Sequence, residues 1–256
     1  MPNSYSVCRI FALCSVIFIV SSCGGDGVAG PEDSKARSDQ SVSSGSSAGV
    51  DSTAVEQCLL DYADRPCTLL TPALARRAYG LDQALDIQSN EFDYAGFSCD
   101  LAWSTGRKGS IELANGTKLA IELDDEVSLS GIVELSNDRA IASQMFSATV
   151  RQSTDDEKAA QVEKVRDAVA ESNRIAEENQ DFAQQFAADL VKNLRFEAVD
   201  DLADDAAWGG VGKIKHLHVR TGRVQFLVSA KVADSDAKNR EAALSLAKAI
   251  LQTCNS

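Results

Sequence analysis

The chain contains only two histidines, His216 and His218, among its 256 residues. Imidazole is the usual base of serine and cysteine triads, so such chemistry would have to use this pair. On a strand both side chains project to one face, which could also offer two metal ligands. A metal site would need a third ligand, for which Asp204 and Asp205 are the nearest candidates. A solvated sheet face is therefore the favoured interpretation, and a hydrolase that uses the pair stays an alternative.

Positive charge is also scarce. Lysine and arginine number 25 against 38 acidic residues, which gives a formal net charge of -13. Such a chain should be repelled by nucleic acid and by anionic lipid headgroups. We therefore expect no nucleic-acid partner, and a covalent lipid would be the natural way to hold this protein at a membrane.

No apolar run is long enough for a permanent transmembrane helix, which needs about 20 residues. The longest, Ile10–Val20, has 11 residues, and the only charge ahead of Cys23 is Arg9. This pattern is typical of a secretory signal. The run ends in Val20-Ser21-Ser22-Cys23, which resembles the bacterial lipobox.

The lipobox resemblance implies cleavage before Cys23, so that residues 1–22 are a signal peptide and Cys23 carries the lipid. Gly24 follows where Asp would signal retention at the inner membrane. The resemblance then implies the periplasmic face of the outer membrane in a Gram-negative cell. In other cells it implies the outer face of the cytoplasmic membrane. An ordinary secretory signal, with cleavage elsewhere, is the alternative.

Export would leave four cysteines in an oxidising compartment, and four cysteines allow three disulfide connectivities. They are Cys58, Cys67, Cys99 and Cys254. We favour Cys67–Cys99 and Cys58–Cys254, because the second pair would tie the start of the folded region to its end. Metal binding is the rival interpretation, but the sequence has no Cys-x-x-Cys motif and no nearby Cys/His pair to support it.

Residues 23–53 combine the lipidated cysteine with a segment rich in Ser, Gly and Asp, which predicts a flexible tether. Residues 54–256 are long enough for one domain. Two motif matches in the tether, at Gly25–Gly30 and Gly45–Gly49, lack the strand–turn–helix context of nucleotide and hydrolase sites. The acidic segment Asp200–Asp205 lacks the spacing of a calcium loop. The sequence therefore predicts no cofactor and no metal site.

Turn and cap signals predict several elements. Thr71 can cap a helix that has Pro72 at its first position and ends at Gly80. Asn115-Gly116 predicts a hairpin turn between Ser110–Leu113 and Lys118–Leu123, and Thr221-Gly222 predicts another. Further apolar alternation predicts two more strands, with Gly131 at a possible bulge and a helix at about 235–251 closing the chain; the alternating residues are Phe97, Cys99, Leu101, Trp103, Val127, Leu129, Val133 and Leu135.

Apolar residues at helical spacing continue from about Thr154 to Leu194, and no Pro or Gly lies between Arg151 and Ala207. This stretch predicts one inserted helix of up to about 40 residues, or two nearly collinear ones. Packing of its apolar stripe on the core is favoured. Self-association through the stripe, which would make the protein a structural oligomer, is the alternative.

The order of elements predicts an α+β domain, an antiparallel sheet with flanking helices. Three motifs resemble bacterial lipoproteins with a domain of unknown function and a PsbP-like fold. They are Cys67-Thr-Leu-Leu-Thr71, Cys99 followed by Trp103, and the segment from Val199 to Trp208. The resemblance implies a sheet flanked by helices, a Cys67–Cys99 bridge and no assigned activity.

The leading hypothesis from the sequence is a non-enzymatic binding or accessory protein of the cell envelope. Its membrane contact is the lipid on Cys23, and its partner is an unidentified envelope protein or small ligand. Apolar patches around Trp103 and Trp208 are the candidate contact surface, and the alternative is that both residues belong to the core. The alternatives are an envelope hydrolase that uses His216 or His218, and the structural oligomer.

Overall fold

A computed structural model describes residues 52–92, 96–112, 117–170, 177–212 and 214–256. These described residues form one compact unit, Ser52–Ser256. The predicted signal peptide, the lipidated Cys23 and most of the predicted tether fall on residues 1–51, outside the described residues.

A single antiparallel sheet of seven strands organises the described residues, in the spatial order β1-β2-β3-β7-β6-β5-β4. Each strand pairs antiparallel with its neighbours, so the predicted antiparallel sheet is confirmed. The strands are β1 Asp86–Phe92, β2 Gly96–Glu112, β3 Lys118–Glu134, β4 Arg195–Ala198, β5 Asp205–Val211, β6 Ile214–Thr221 and β7 Val224–Lys231.

Seven helices accompany the sheet within the described ranges, which confirms the α+β class. They are α1 Ser52–Asp61, α2 Pro66–Leu69, α3 Pro72–Tyr79, α4 Arg139–Val150, α5 Asp155–Ala170, α6 Glu177–Asn193 and α7 Asp236–Cys254. Among these described helices, none has the length and apolar character needed to span a bilayer.

The capping residues of α3 and the glycine at the β3 bulge lie where the sequence predicts them. The Thr71 hydroxyl accepts a hydrogen bond from the Leu74 N–H at 3.1 Å, and Gly80 ends α3 with φ 66°. Gly131, with φ 60°, lies where the register of β3 against β7 shifts between Ser130 and Val133. The predicted cap and the predicted bulge are both confirmed.

The central hairpin is longer than predicted. Glu112 pairs with Lys118, so the hairpin itself is confirmed, although Asn115-Gly116 lies outside the described residues. Segments expected to be separate strands run together into β2 and β3, of 17 residues each. The register of β2 against β3 shifts between Ser104 and Arg107, and pairing continues on both sides of the shift. Such an irregularity bends a strand without ending it.

The long helix predicted at about 154–194 is wrong, since the region forms two helices that pack against each other. The Gln152 side chain, just before α5, bonds with the Leu194 carbonyl and the Phe196 N–H, just after α6. A continuous helix of about 40 residues would hold these ends about 60 Å apart. Residues 171–176, between the helices, are outside the described residues. Each helix therefore presents its apolar side to the other, which produces the same periodicity as one long stripe.

The helix α4 was not predicted. The Asp138 carboxylate caps it by accepting hydrogen bonds from the N–H groups of Ala140 and Ile141, at 2.8 and 2.9 Å. Ala142 and Phe146 are buried on its inner side. The capping residue is visible in the sequence. The helix was missed because only two of its 12 residues are buried, which gives a weak periodic signal.

The main hydrophobic core lies between one sheet face and the helices α1, α2, α3 and α7. Two disulfides bound it. Cys58–Cys254 joins α1 to α7 across 196 residues, and Cys67–Cys99 joins α2 to β2 across 32 residues. These are the two pairs favoured from the sequence, and they bring the first and last helices of the described region together.

Candidate functional site

The two histidines lie on the sheet face opposite the main core. In β6, Leu217 and Val219 point into the core, so His216 and His218 point the other way. The prediction of a solvated face is wrong for His218, which is only 3 % exposed. Its ring meets Phe196 edge-on, at 5.3 Å between centroids. Helix α4 packs on β5 and β6 and contributes to covering the sheet.

Burial makes both imidazoles weak bases. Desolvation, followed by the nearby charge of His216, lowers the pKa of His218 from 6.5 to about 3. Desolvation, followed by the charge of Lys231, also lowers the pKa of His216. Neither Nδ1 atom has a hydrogen-bond partner among the described residues. The two imidazole rings lie 6.4 Å apart between centroids and nearly perpendicular to each other.

The structure does not place the candidate third ligand Asp205 next to His218. Asp205, one guessed third ligand, pairs across the sheet with Arg220, whereas Ala207 lies opposite His218. The Arg220 Nε donates to the Asp205 carboxylate at 2.7 Å, so this acceptor is already engaged. Within the described ranges, no group of three or more His, Cys, Asp or Glu residues could hold a metal ion. Among the described residues, the histidines therefore belong to no metal-binding group, and Asp205 is engaged elsewhere.

The acidic segment supports the neighbouring hairpin. Asp204 accepts a hydrogen bond from the Gly222 N–H at 2.6 Å, and Asp205 holds Arg220. Arg220 also donates to the Gly222 carbonyl. The segment predicted as a simple solvated turn therefore stabilises the β6–β7 turn through these hydrogen bonds. The predicted position of that turn at Thr221-Gly222 is confirmed.

Sequence reasoning also missed the buried charge of Glu56 in α1, which is 2 % exposed. Its carboxylate accepts hydrogen bonds from Arg139 at 2.6 Å and from Arg223 at 3.0 Å. A Cβ atom on Gly222 would lie 1.5 Å from Glu56 Oε1, so only glycine lets the turn approach this carboxylate. The cluster ties α1, α4 and the β6–β7 turn together. Its partners lie 83 and 167 residues from Glu56, a distance at which local pattern carries no signal.

The candidate contact residues Trp103 and Trp208 belong to the core, with exposures of 4 % and 2 %. Trp103 lies 5.9 Å from the Tyr79 ring between centroids, and the Tyr79 hydroxyl donates to the Ala242 carbonyl at 2.8 Å. The Trp208 indole N–H faces the Asp236 carboxylate at 3.4 Å. Both tryptophans therefore pack helices against the sheet, so the alternative that they belong to the core is the one that their burial supports.

We compared the chain with known proteins by three routes. No family model matches it, no curated protein matches it, and no solved structure matches it.

Proposed function

We propose that this protein is a lipid-anchored lipoprotein of the bacterial cell envelope with a binding or accessory role. In this proposal Cys23 becomes the first residue after cleavage and carries the acyl chains. Residues that follow it tether the folded unit to the membrane. Several acyl chains hold a protein firmly at a bilayer, whereas one alone binds marginally.

The observation that supports this proposal most strongly is the pair of disulfide bridges. Disulfides persist in oxidising compartments and are rare in a reducing cytosol. The bridges use all four of the cysteines that follow Cys23. An exported chain with a lipobox at its start accounts for this pattern, because the remaining cysteine of the mature chain is the one that receives lipid.

The chemistry of the histidine face supports binding over hydrolysis. A hydrolase that uses His218 would need the imidazole to reach a substrate and exchange a proton near neutral pH. His218 is buried, and its pKa of about 3 keeps it neutral there. The resemblance to lipoproteins with a PsbP-like fold stays a prediction, and it adds no catalytic residue.

The test is membrane fractionation of the full chain with Cys23→Ser. We expect the wild-type protein in the membrane fraction and the variant in the soluble fraction of the envelope. Cys14→Ser is the matched control, because it makes the same chemical change nine positions earlier, within the apolar run, and should leave the anchor intact. Membrane retention of Cys23→Ser would overturn the proposal, as would release of Cys14→Ser to the same extent.

A further inference from the structure

A groove of about 610 Å³ lies on the α5–α6 pair, near the start of α5 and the end of α6. Its volume falls within the range of small-molecule sites, about 300–1,000 Å³. Part of its wall is apolar and includes Val162. Its charged residues are Asp155, Lys158, Glu163, Arg166, Lys192 and Arg195.

Positive charge predominates in this groove, in contrast to the acidic chain as a whole. Glu163 already pairs with Arg166 at 2.8 Å. That leaves Lys158, Lys192 and Arg195 facing a single further carboxylate, Asp155. A chain with a formal charge of -13 therefore gathers cations at this groove, which raises the local potential toward anions.

Lys158 is the unusual residue of the group, because it is only 8 % exposed. No hydrogen bond or ion pair joins its ammonium to any residue that the structure describes, although the side chain lines the groove. Lysine commonly buries its methylene stem while its ammonium stays in water, and the Lys158 Nζ is not among the buried polar atoms that lack a partner. The ammonium therefore reaches the groove, where a bound anion would pair with it.

Arg195 is held in place at the same end of the groove. One of its terminal nitrogens donates to the carbonyls of Lys192 and Leu194, at 2.7 and 2.8 Å. These bonds restrain the guanidinium where α6 ends, so less side-chain entropy is lost when a ligand binds. The positively charged groups around the groove thus include an ammonium on a buried stem and a restrained guanidinium.

We propose that this groove binds an organic phosphate monoester. Three cations on separate stems suit a ligand with two charges and oxygens that point in several directions, which a phosphate monoester dianion provides. A single carboxylate offers one charge and two coplanar oxygens. The apolar wall and the volume leave room for an organic group next to the phosphate.

Titration calorimetry of the full chain in a non-ionic detergent tests this proposal, with phenyl phosphate as the probe. We expect saturable binding and about tenfold weaker binding by Lys158→Gln, which loses a charge-assisted contact. Lys192→Gln, at an exposed position that should fold normally, should also weaken binding severalfold. Lys164→Gln removes the same charge from α5 but lies outside the groove, so its affinity should equal that of the wild type.

Further ligands distinguish the source of the phosphate. Inorganic phosphate should bind more weakly than phenyl phosphate, because it lacks the organic group. Glycerophosphoglycerol, the diester headgroup of an anionic phospholipid, should also bind more weakly because it carries one charge. Malonate, which carries two charges on two carboxylates, tests whether charge alone decides binding. A preference for the diester or for malonate would overturn the monoester assignment. Absence of saturable phenyl phosphate binding up to about 10 mM, or equal weakening by Lys164→Gln, would overturn the site itself.

Discussion

The two faces of the sheet bury different kinds of side chain. The face toward α1, α3 and α7 is apolar, with Leu217, Val219 and Phe226 fully buried, and it is bounded by both disulfides. The opposite face buries His218 and Arg220 on the same strand, β6. Strand β6, in which apolar and polar residues alternate, is therefore buried on both sides. The polar side then depends on ion pairing and on neutral imidazoles.

Removal of the disulfide that closes the longer loop should weaken the core face most. In the chain-entropy model, replacing Cys58 and Cys254 by Ala should lower the free energy of unfolding by about 5 kcal/mol. Replacing Cys67 and Cys99 by Ala should cost less, about 3–4 kcal/mol, because that bridge closes 32 residues and not 196. Urea unfolding of both double variants measures the difference. A larger loss from the shorter loop would show that native-state strain or packing, and not chain entropy, dominates.

The polar face should depend on the Arg220–Asp205 pair. Arg220→Met should cost about 3 kcal/mol, because it leaves the Asp205 carboxylate without its cation in a partly buried setting. The double variant Arg220→Met, Asp205→Ala should regain part of this loss, since no unpaired charge is left. Arg166→Met, which breaks an exposed pair, is the control and should cost less than about 1 kcal/mol. Equal losses from the buried and exposed pairs would contradict this account.

The buried histidine should make the polar face sensitive to acid. The unfolded chain protonates His218 below pH 6.5, whereas the folded chain does so only near pH 3. Above pH 6.5 the ring is neutral in both states, so it does not change the free energy of unfolding. As the pH falls from 6.5 toward 3, protonation of the unfolded chain lowers that free energy. At pH 5 the loss should be about 2 kcal/mol.

The variant His218→Leu removes this titration, so its unfolding free energy should change less between pH 7 and pH 5 than that of the wild type. Urea unfolding at the two pH values gives both differences, whatever the variant costs at neutral pH. An unchanged pH dependence would show that His218 is solvated in the folded protein.

Local backbone signals were the part of this fold that could be read from sequence. Thr71 supplies a capping hydroxyl, Gly80 and Gly131 adopt a positive φ that few other residues adopt, and each lies where it was expected. The helical stripe at 154–194 was ambiguous, because packing within a helix pair and packing along one long helix produce the same periodicity. The polar alternation in β6 was read as a solvated face, since nothing local indicates that another layer covers it.

The candidate sites were harder to predict than the fold. Glu56, Arg139 and Arg223 meet only through tertiary packing, so their spacing along the chain gives no pattern. Lys158 is one lysine on a helix rich in charge, and only its burial distinguishes it from Lys164. The disulfide pairs were easier, because four cysteines allow only three arrangements.

The central claim is that the folded unit works outside the cytoplasm, joined to a membrane through Cys23. Intact mass spectrometry of the protein from its own cells, after acid quenching and thiol alkylation, tests it most directly. We predict a chain that begins at Cys23, carries a diacylglycerol mass and takes up no alkylating agent at Cys58, Cys67, Cys99 or Cys254. A chain that retains residues 1–22 with these four thiols alkylated would contradict the account.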